Sequence, residues 1–398
     1  MCFAKNLAMP RASRSIRLHN SLILIITTLL SNGAGWAQGD EEGAPNPLAS
    51  LALRNIGPAY PSGRISDFAF IGEGDNHYLV ATSSGGLWET RNRGTTWTPL
   101  FDGQSSYALG VVEVAPTDQD IIWVGSGENN AQRSVGYGDG VYKSIDGGKT
   151  WENMGLVDSG HISQLWINPD NEDHVLVAAQ GPLWSSGGDR GLYRTKDGGA
   201  TWDQILAIDE HTGINEFVVH PNNPDLIVAS SYQRRRHVWT LINGGPGSGI
   251  HRSLDGGANW KEISAGLPKD HMGRIGLAMS PATPNTLYSI IEASEGEQGV
   301  YRSTDFGQHW EKRSDHMTTS PQYYNEIVAD PHNPERLYSL DTYTWVSEDG
   351  GSSFQRLSAD HRHSDDHALW IDPDFTDHLL IGGDGGIYES WDQGQTWA

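Results

Sequence analysis

The chain has one cysteine, and it is Cys2. That residue falls in a segment that reads as a leader, so the mature chain can form no internal disulfide. Basic residues are also scarce: 27 Lys and Arg stand against 50 Asp and Glu, a net charge of -23. A surface of that sign repels phosphate backbones and anionic lipid, which argues against nucleic-acid and membrane binding. The apolar run Leu22 to Leu30 is too short for an ordinary transmembrane helix. It follows Arg11, Arg14 and Arg17 and precedes Gly35-Trp36-Ala37, with small residues at the usual cleavage positions. Residues 1–37 are therefore read as the signal peptide of a periplasmic or secreted protein, an uncleaved anchor being the alternative. Residues 38–50 form a flexible lead-in to a domain spanning 51–398.

What the chain has in abundance is one repeated phrase. It occurs as TRNRGTTW, SIDGGKTW, TKDGGATW, SLDGGANW, STDFGQHW, SEDGGSSF and SWDQGQTW, between Thr90 and Trp397. The third positions (Asn92, Asp146, Asp197, Asp255, Asp305, Asp349 and Asp392) recur at intervals of 43 to 58 residues. That period suits a unit of four short strands. Asp followed by glycine fits a tight hairpin turn: the carboxylate accepts bonds from turn amides, and glycine takes positive φ without penalty. The closing Trp or Phe supplies an apolar wedge between units. Alternating stretches such as GVYKS and GLYRT precede each phrase and read as strands with one buried face. The expectation is all-β: a seven-bladed propeller of four-stranded antiparallel blades. Leu51 to Ile56 resembles an orphan fourth strand that could close the ring, whereas the chain stops at Ala398 inside a motif. Further blades or domains beyond residue 398 are therefore expected.

Strand order places every Asp-containing turn on one face and the longer, irregular loops on the other, where sites are usually built. On that loop face, Arg133, His161, Arg234, Arg235, Arg274, Tyr323 and Tyr324 are candidate ligand-binding residues. Arginine forks suit a carboxylate or an acidic peptide. The alternative is that the arginines pair with acids such as Asp209 and Glu210 across neighbouring blades. His361, His363, Asp365 and His367 alternate, so on an extended strand all four would point one way. Imidazole with carboxylate suits a zinc-like divalent metal, although a polar channel mouth explains the run as well and no cofactor is expected. No G-x-S-x-G elbow is present to support a nucleophilic serine.

The seven phrases resemble the Asp-box, or BNR repeat, S/T-x-D-x-G-x-T-W/F. Together with RNIGPAYPSGRISDFAF, INGGPGSGIHRSLDGGANW and DDHALWIDPDFTDHLLIGGDGGIYES, they are similar to exported bacterial proteins of the sortilin N-terminal-domain and glycosyl-hydrolase-like type. Sialidases share the repeat, but GRISDFAF holds Arg64 without their F/Y-R-I-P motif. Xyloglucanases carry a catalytic acid in a T-D-I-G-G-type stretch, and here Thr82-Ser83-Ser84-Gly85-Gly86 puts Ser83 in that place. Serine cannot serve as the carboxylate of an inverting hydrolysis. The resemblance thus implies a binding or assembly module for a peptide, protein or glycan. The alternative is a glycoside hydrolase using acids among Glu128, Asp209, Glu210 and Asp365.

Overall fold

The computed structural model of the protein describes residues 63–72 and 74–398. The expected leader, the lead-in and the closing strand at Leu51 to Ile56 lie outside them. Within the described residues there is no helix, and seven antiparallel sheets follow one another along the chain. Each sheet runs in sequence order from an inner to an outer strand, as the repeat predicts. The inner strands are Ile65–Phe70, Leu109–Val114, Ile162–Asn168, Thr212–His220, Ile275–Met279, Glu326–Ala329 and Asp366–Ile371. Blades 1 to 6 have at least four strands. Blade 7 shows three, with Glu389 and Ala398 exchanging backbone bonds of 3.0 and 2.9 Å where a fourth begins. Blade 4 is longer than its siblings: Asn223–His237 overshoots the sheet and pairs with Thr240–Asn243 as a projecting hairpin.

The repeated turns owe their shape to the aspartate. Asp146 Oδ1 accepts from the Lys149 and Thr150 amides at 3.0 and 2.9 Å, while Oδ2 accepts from the Thr150 hydroxyl at 2.6 Å. The Gly148 amide donates to Ser144 Oγ at 2.9 Å, so the phrase closes its turn largely with its own serine and aspartate. Gly147 and Gly148 sit at φ of 70° and 81°, the region where glycine carries no steric cost. Asn92 performs the same service in blade 1, accepting from the Thr96 amide at 2.9 Å.

Among the described residues there is no single central core. Apolar side chains gather in clusters between successive blades, so each blade is buried by its neighbours. Phe68, Tyr78 and Val80 of blade 1 join Ala368 and Leu380 of blade 7 in one such cluster, and Phe70 stacks on Trp370 at 3.7 Å. Ring closure is thus an interface of the same kind as the rest. The turn tryptophans wedge these interfaces; the indole N–H groups of Trp151 and Trp202 bond back to the preceding blade, at Leu100 O (2.9 Å) and Met154 O (2.8 Å), while those of Trp260 and Trp310 donate within their own turns. Wedge burial varies, and Trp310 is fully inside. Trp310→Ala is expected to cost about 3–5 kcal/mol through the cavity it leaves. Chemical denaturation checks this, and a loss below about 1 kcal/mol would contradict the wedge role.

Candidate functional site

The inner strands surround an axis, and their free edges face it. Near the loop-face ends, five of them carry a register irregularity. It falls between Ile65 and Asp67, Leu109 and Val111, Ile162 and Gln164, Ile214 and Glu216, and Asp366 and Ala368. Such a bulge adds a residue and re-aims the side chains beside it. Asp67, Gln164 and Glu216 then reach to the next blade, where they accept the inner-edge amides of Val112 at 2.9 Å, Phe217 at 2.7 Å and Leu277 at 2.6 Å.

These strands enclose a polar cavity of about 250 Å³ lined by Arg64, Asp67, Ser83, Glu113, Glu128, Glu216, Tyr323, Glu326 and His367, among others. At its mouth, Arg64 Nη1 pairs with Glu128, and Arg64 Nε reaches Asp384 Oδ1 at 3.2 Å. His367 Nε2 approaches the same Asp384 oxygen at 3.3 Å. Tyr323 packs edge-on against His367 at 4.7 Å, with the Arg64 guanidinium 5.2 Å from its ring centre. Glu128 also accepts from Asn130 and from the Gly136 amide. Burial pushes Glu128 upward, with Arg64 opposing; Asp384, despite partial burial, is held below the usual range by His367 and Arg64. Deeper in, burial and the charge of Asp67 raise Glu113 to about 8. Burial and Glu326 raise Glu216 to about 8, while burial outweighs the amide bonds at Asp67 and lifts it to about 7.

Loops fold over this mouth. The Gly127–Gly140 loop of blade 2 crosses to blade 6, where the Ala131 amide donates to Gln322 O at 3.0 Å. Arginines of the blade 4 hairpin hold it there: Arg234 Nη1 donates to Asn130 O and Arg236 Nε to Ala131 O, both at 2.7 Å. Ala131, Val135 and Leu183 pack beneath, against Trp184 and Leu241.

Several sequence expectations change accordingly. Arg234 is fully buried and spends itself on backbone carbonyls, neither on a ligand nor on Asp209 or Glu210. Asp209 and Glu210 sit in an exposed turn, Asp209 accepting the His211 amide at 2.7 Å, and neither lines the cavity. Arg274 is buried in the wall, 3.0 Å from Glu326. Tyr324 is buried with its hydroxyl on Asp365. His161 is buried, Nδ1 lying 2.9 Å from Glu128 O; burial and the Arg234 charge hold it well below its usual range, hence neutral. Arg133 is exposed, and Arg235 is half-buried, its Nε and Nη1 without a partner among the described residues. The four expected metal ligands do not share a strand face, because the strand begins only at Asp366 and both His361 and Asp365 have positive φ. Their ligand atoms do not converge; the described residues bring together Asp75, Asp372 and His378 instead, on the opposite face.

Of the expected site residues, Glu128, Tyr323 and His367 line the cavity. Arg64 was singled out in the sequence only for lacking a motif, and Asp67, Glu113, Glu216, Glu326 and Asp384 were missed. The available signal was an acid inside an otherwise apolar inner strand, as in LGVVEV and INEFVVH.

The sortilin family model, described as sortilin, neurotensin receptor 3, matches residues 139–269. Xyloglucanase Xgh74A of Acetivibrio thermocellus is 25% identical over 245 residues, covering 52% of this chain and 26% of that protein. The chain therefore spans about a quarter of that relative's length. Among solved structures, the GH74 xyloglucanase of Xanthomonas campestris superposes with a TM-score of 0.59 at 18% identity, over 85% of this chain and 53% of that one. YCF48 bound to D1 peptide gives 0.52 at 16% identity, over 85% and 95%. The protein is a sortilin- and xyloglucanase-like propeller. At these identities the solved structures establish its fold.

The raised channel acids make a pH prediction with a definite sign. An unfolded carboxyl titrates near 4. Between about pH 6.5 and 8 these acids make the folded chain bind more protons than the unfolded one, so stability falls as pH rises; below about pH 6.5, burial holds His161, His251 and His316 neutral in the folded chain and opposes them. The turn acids act oppositely: the Thr150 hydroxyl and amide hold Asp146 at about 2, and those of Thr201 do the same for Asp197. Their contribution is complete above about pH 4 and is lost as pH falls toward 2. Calorimetry should therefore show a melting temperature that declines from about pH 6.5 to 8 and collapses toward pH 2, and Glu113→Gln should flatten the decline above pH 6.5. A melting temperature that rises steadily to pH 8 would contradict this.

Proposed function

We propose that the chain is an exported binding or assembly module that takes a peptide or protein segment, or a glycan, on the loop face over the channel mouth. The observation that carries this reading is that Arg64, Glu128, Asp384 and His367 are engaged with one another at the mouth. What remains available includes a set of exposed aromatic side chains. Tyr107, Tyr137, Trp239 and Tyr343 are exposed large side chains, and all lie in loops of this face. Aromatic rings with a polar tip suit both peptide and sugar contacts. The likeness to YCF48, whose structure carries a bound D1 peptide, supports a peptide ligand.

A second reading, a glycoside hydrolase, is favoured by one specific feature. Glu128 and Asp384 share one guanidinium and are pushed in opposite directions, the pattern expected of an acid and a base. The similarity to xyloglucanases points the same way. Against it, Ser83 stands where those enzymes resemble one another in having an acid.

Two assays separate the readings. Selection from a displayed library of random peptides should enrich binders that lose affinity at least tenfold with Tyr137→Ala or Trp239→Ala but not with Asp197→Ala. A reducing-end assay on xyloglucan and β-glucans between pH 4 and 8 should show no turnover. Turnover abolished by Glu128→Gln or Asp384→Asn would establish the hydrolase and overturn the binding module.

A further inference from the structure

One group of side chains, away from the channel, has its ligand atoms turned to a common point. Asp75 lies in the turn after the inner strand of blade 1, and Asp372 and His378 lie in the corresponding turn of blade 7. Their ligand atoms are all within 4.8 Å of one another. His378 Nδ1 is 3.2 Å from Asp372 Oδ2 and 3.7 Å from Asp75 Oδ2. Each acid has its other oxygen engaged elsewhere: Asp372 Oδ1 accepts the Asp374 and Phe375 amides at 2.9 and 3.1 Å, and Asp75 Oδ1 pairs with Arg93. The imidazole is itself fixed. It is fully buried, its Nε2 lies 2.8 Å from Glu389 Oε1, and its ring stacks on Trp391 at 3.7 Å and 4°.

The repeat supplies an internal control. Blade 1 builds the same turn, closed by the Ile71 amide on His77 O at 2.9 Å, as that of blade 7 is closed by the Asp372 amide on His378 O at 3.1 Å. His77 also keeps the same partner, with Nε2 at 2.9 Å from Glu89 Oε1. Yet Ile71 stands where blade 7 has Asp372, and among the described residues no acid other than Glu89 pairs with His77. The turn and its histidine–glutamate pair therefore require neither Asp372 nor Asp75.

We propose that Asp75, Asp372 and His378 bind a zinc-type divalent ion that staples blade 7 to blade 1. A ligating histidine commonly has its far nitrogen held by a carboxylate, which fixes the nitrogen that faces the ion; Glu389 stands in that place. One imidazole nitrogen with two carboxylate oxygens suits zinc rather than the all-oxygen preference of calcium or magnesium. Bonds of about 2.0–2.2 Å in a tetrahedron put ligand atoms about 3.4 Å apart, and the observed 3.2 and 3.7 Å bracket that value. The Asp75 and Asp372 side chains keep 14% and 18% of their surface exposed, which gives an ion a way in and leaves a fourth position to water. The placement also gives the ion a purpose. Among the described residues no connecting segment crosses from blade 7 to blade 1, whereas every other pair of neighbouring blades is joined by the chain. An ion held from both sides binds only the closed ring and stabilises it by mass action. The site is independent of what the loop face binds.

The test is isothermal titration of Zn²⁺ into the chelator-treated full chain, with the melting temperature measured with and without the ion. The expected result is one saturable site of micromolar or tighter affinity and a raised melting temperature. Asp372→Asn and Asp75→Asn, which keep an acceptor oxygen for the turn amides and for Arg93, should each weaken the affinity at least tenfold and shrink the zinc-dependent rise. His77→Gln in blade 1 and His363→Ala on the loop face should leave both unchanged. The competing occupant of the His378 Nδ1 position is a proton, which would make the group an ion-pair network; Asp372→Asn would then lower the melting temperature by the same amount with and without zinc. That result would overturn the proposal. So would absence of saturable zinc binding below millimolar concentration, binding that survives both aspartate substitutions or is lost with His363→Ala, and a site that takes Ca²⁺ but not Zn²⁺.

Discussion

A strand at the inner rim of a propeller blade has a partner on one side only. Its other edge presents backbone amides to a narrow axial space, where an unmet donor costs free energy and bulk water is restricted. Here the neighbouring blade meets that need with side chains: Asp67 caps Val112, Gln164 caps Phe217 and Glu216 caps Leu277. Much else follows from this arrangement. It ties blades together by polar contacts inside the ring while the apolar clusters tie them further out. It also commits the axis to acidic and amide groups, so that the interior of the ring is a polar chamber rather than a packed core.

The two ends of the propeller consequently do different things with carboxylates. On the turn face each aspartate is surrounded by short local bonds from amides and a hydroxyl, which favour its charged form. Along the axis the same chemical group is enclosed by protein and by its own kind, which favours the neutral form. The acidic composition therefore has two opposite consequences. The turn acids stabilise the fold when ionised, and the axial acids oppose it. Function is more economically sought where charge is held against its preference than where it is satisfied.

Much of the fold could be read in the sequence because the turn phrase is local. Asp146 and its counterparts act on residues three and four positions away, so a short window contains the whole device. Blade number and the two faces followed from repeating that window seven times. The site was less legible because its contacts are distant in sequence. Arg64 meets Glu128 and Asp384 across the ring, and the Ala131 amide finds Gln322. The arginine run in blade 4 was recognisable as unusual, yet its targets are carbonyls of a loop about a hundred residues away, and carbonyls leave no mark in a sequence. The alternation His361, His363, Asp365, His367 misled for a related reason: positive φ at His361 and Asp365 breaks the strand on which alternation has meaning.

The account rests on the inner-edge amides being capped by side chains from the adjoining blade. Site-resolved hydrogen exchange at Val112, Phe217 and Leu277 tests this most directly. If the caps hold, all three amides exchange only through global unfolding although they border a hydrated channel, and Glu216→Ala selectively accelerates Leu277. If they exchange as fast as the amides of the exposed turns, or if Leu277 is indifferent to the loss of Glu216, the ring is not joined at its axis in the way described.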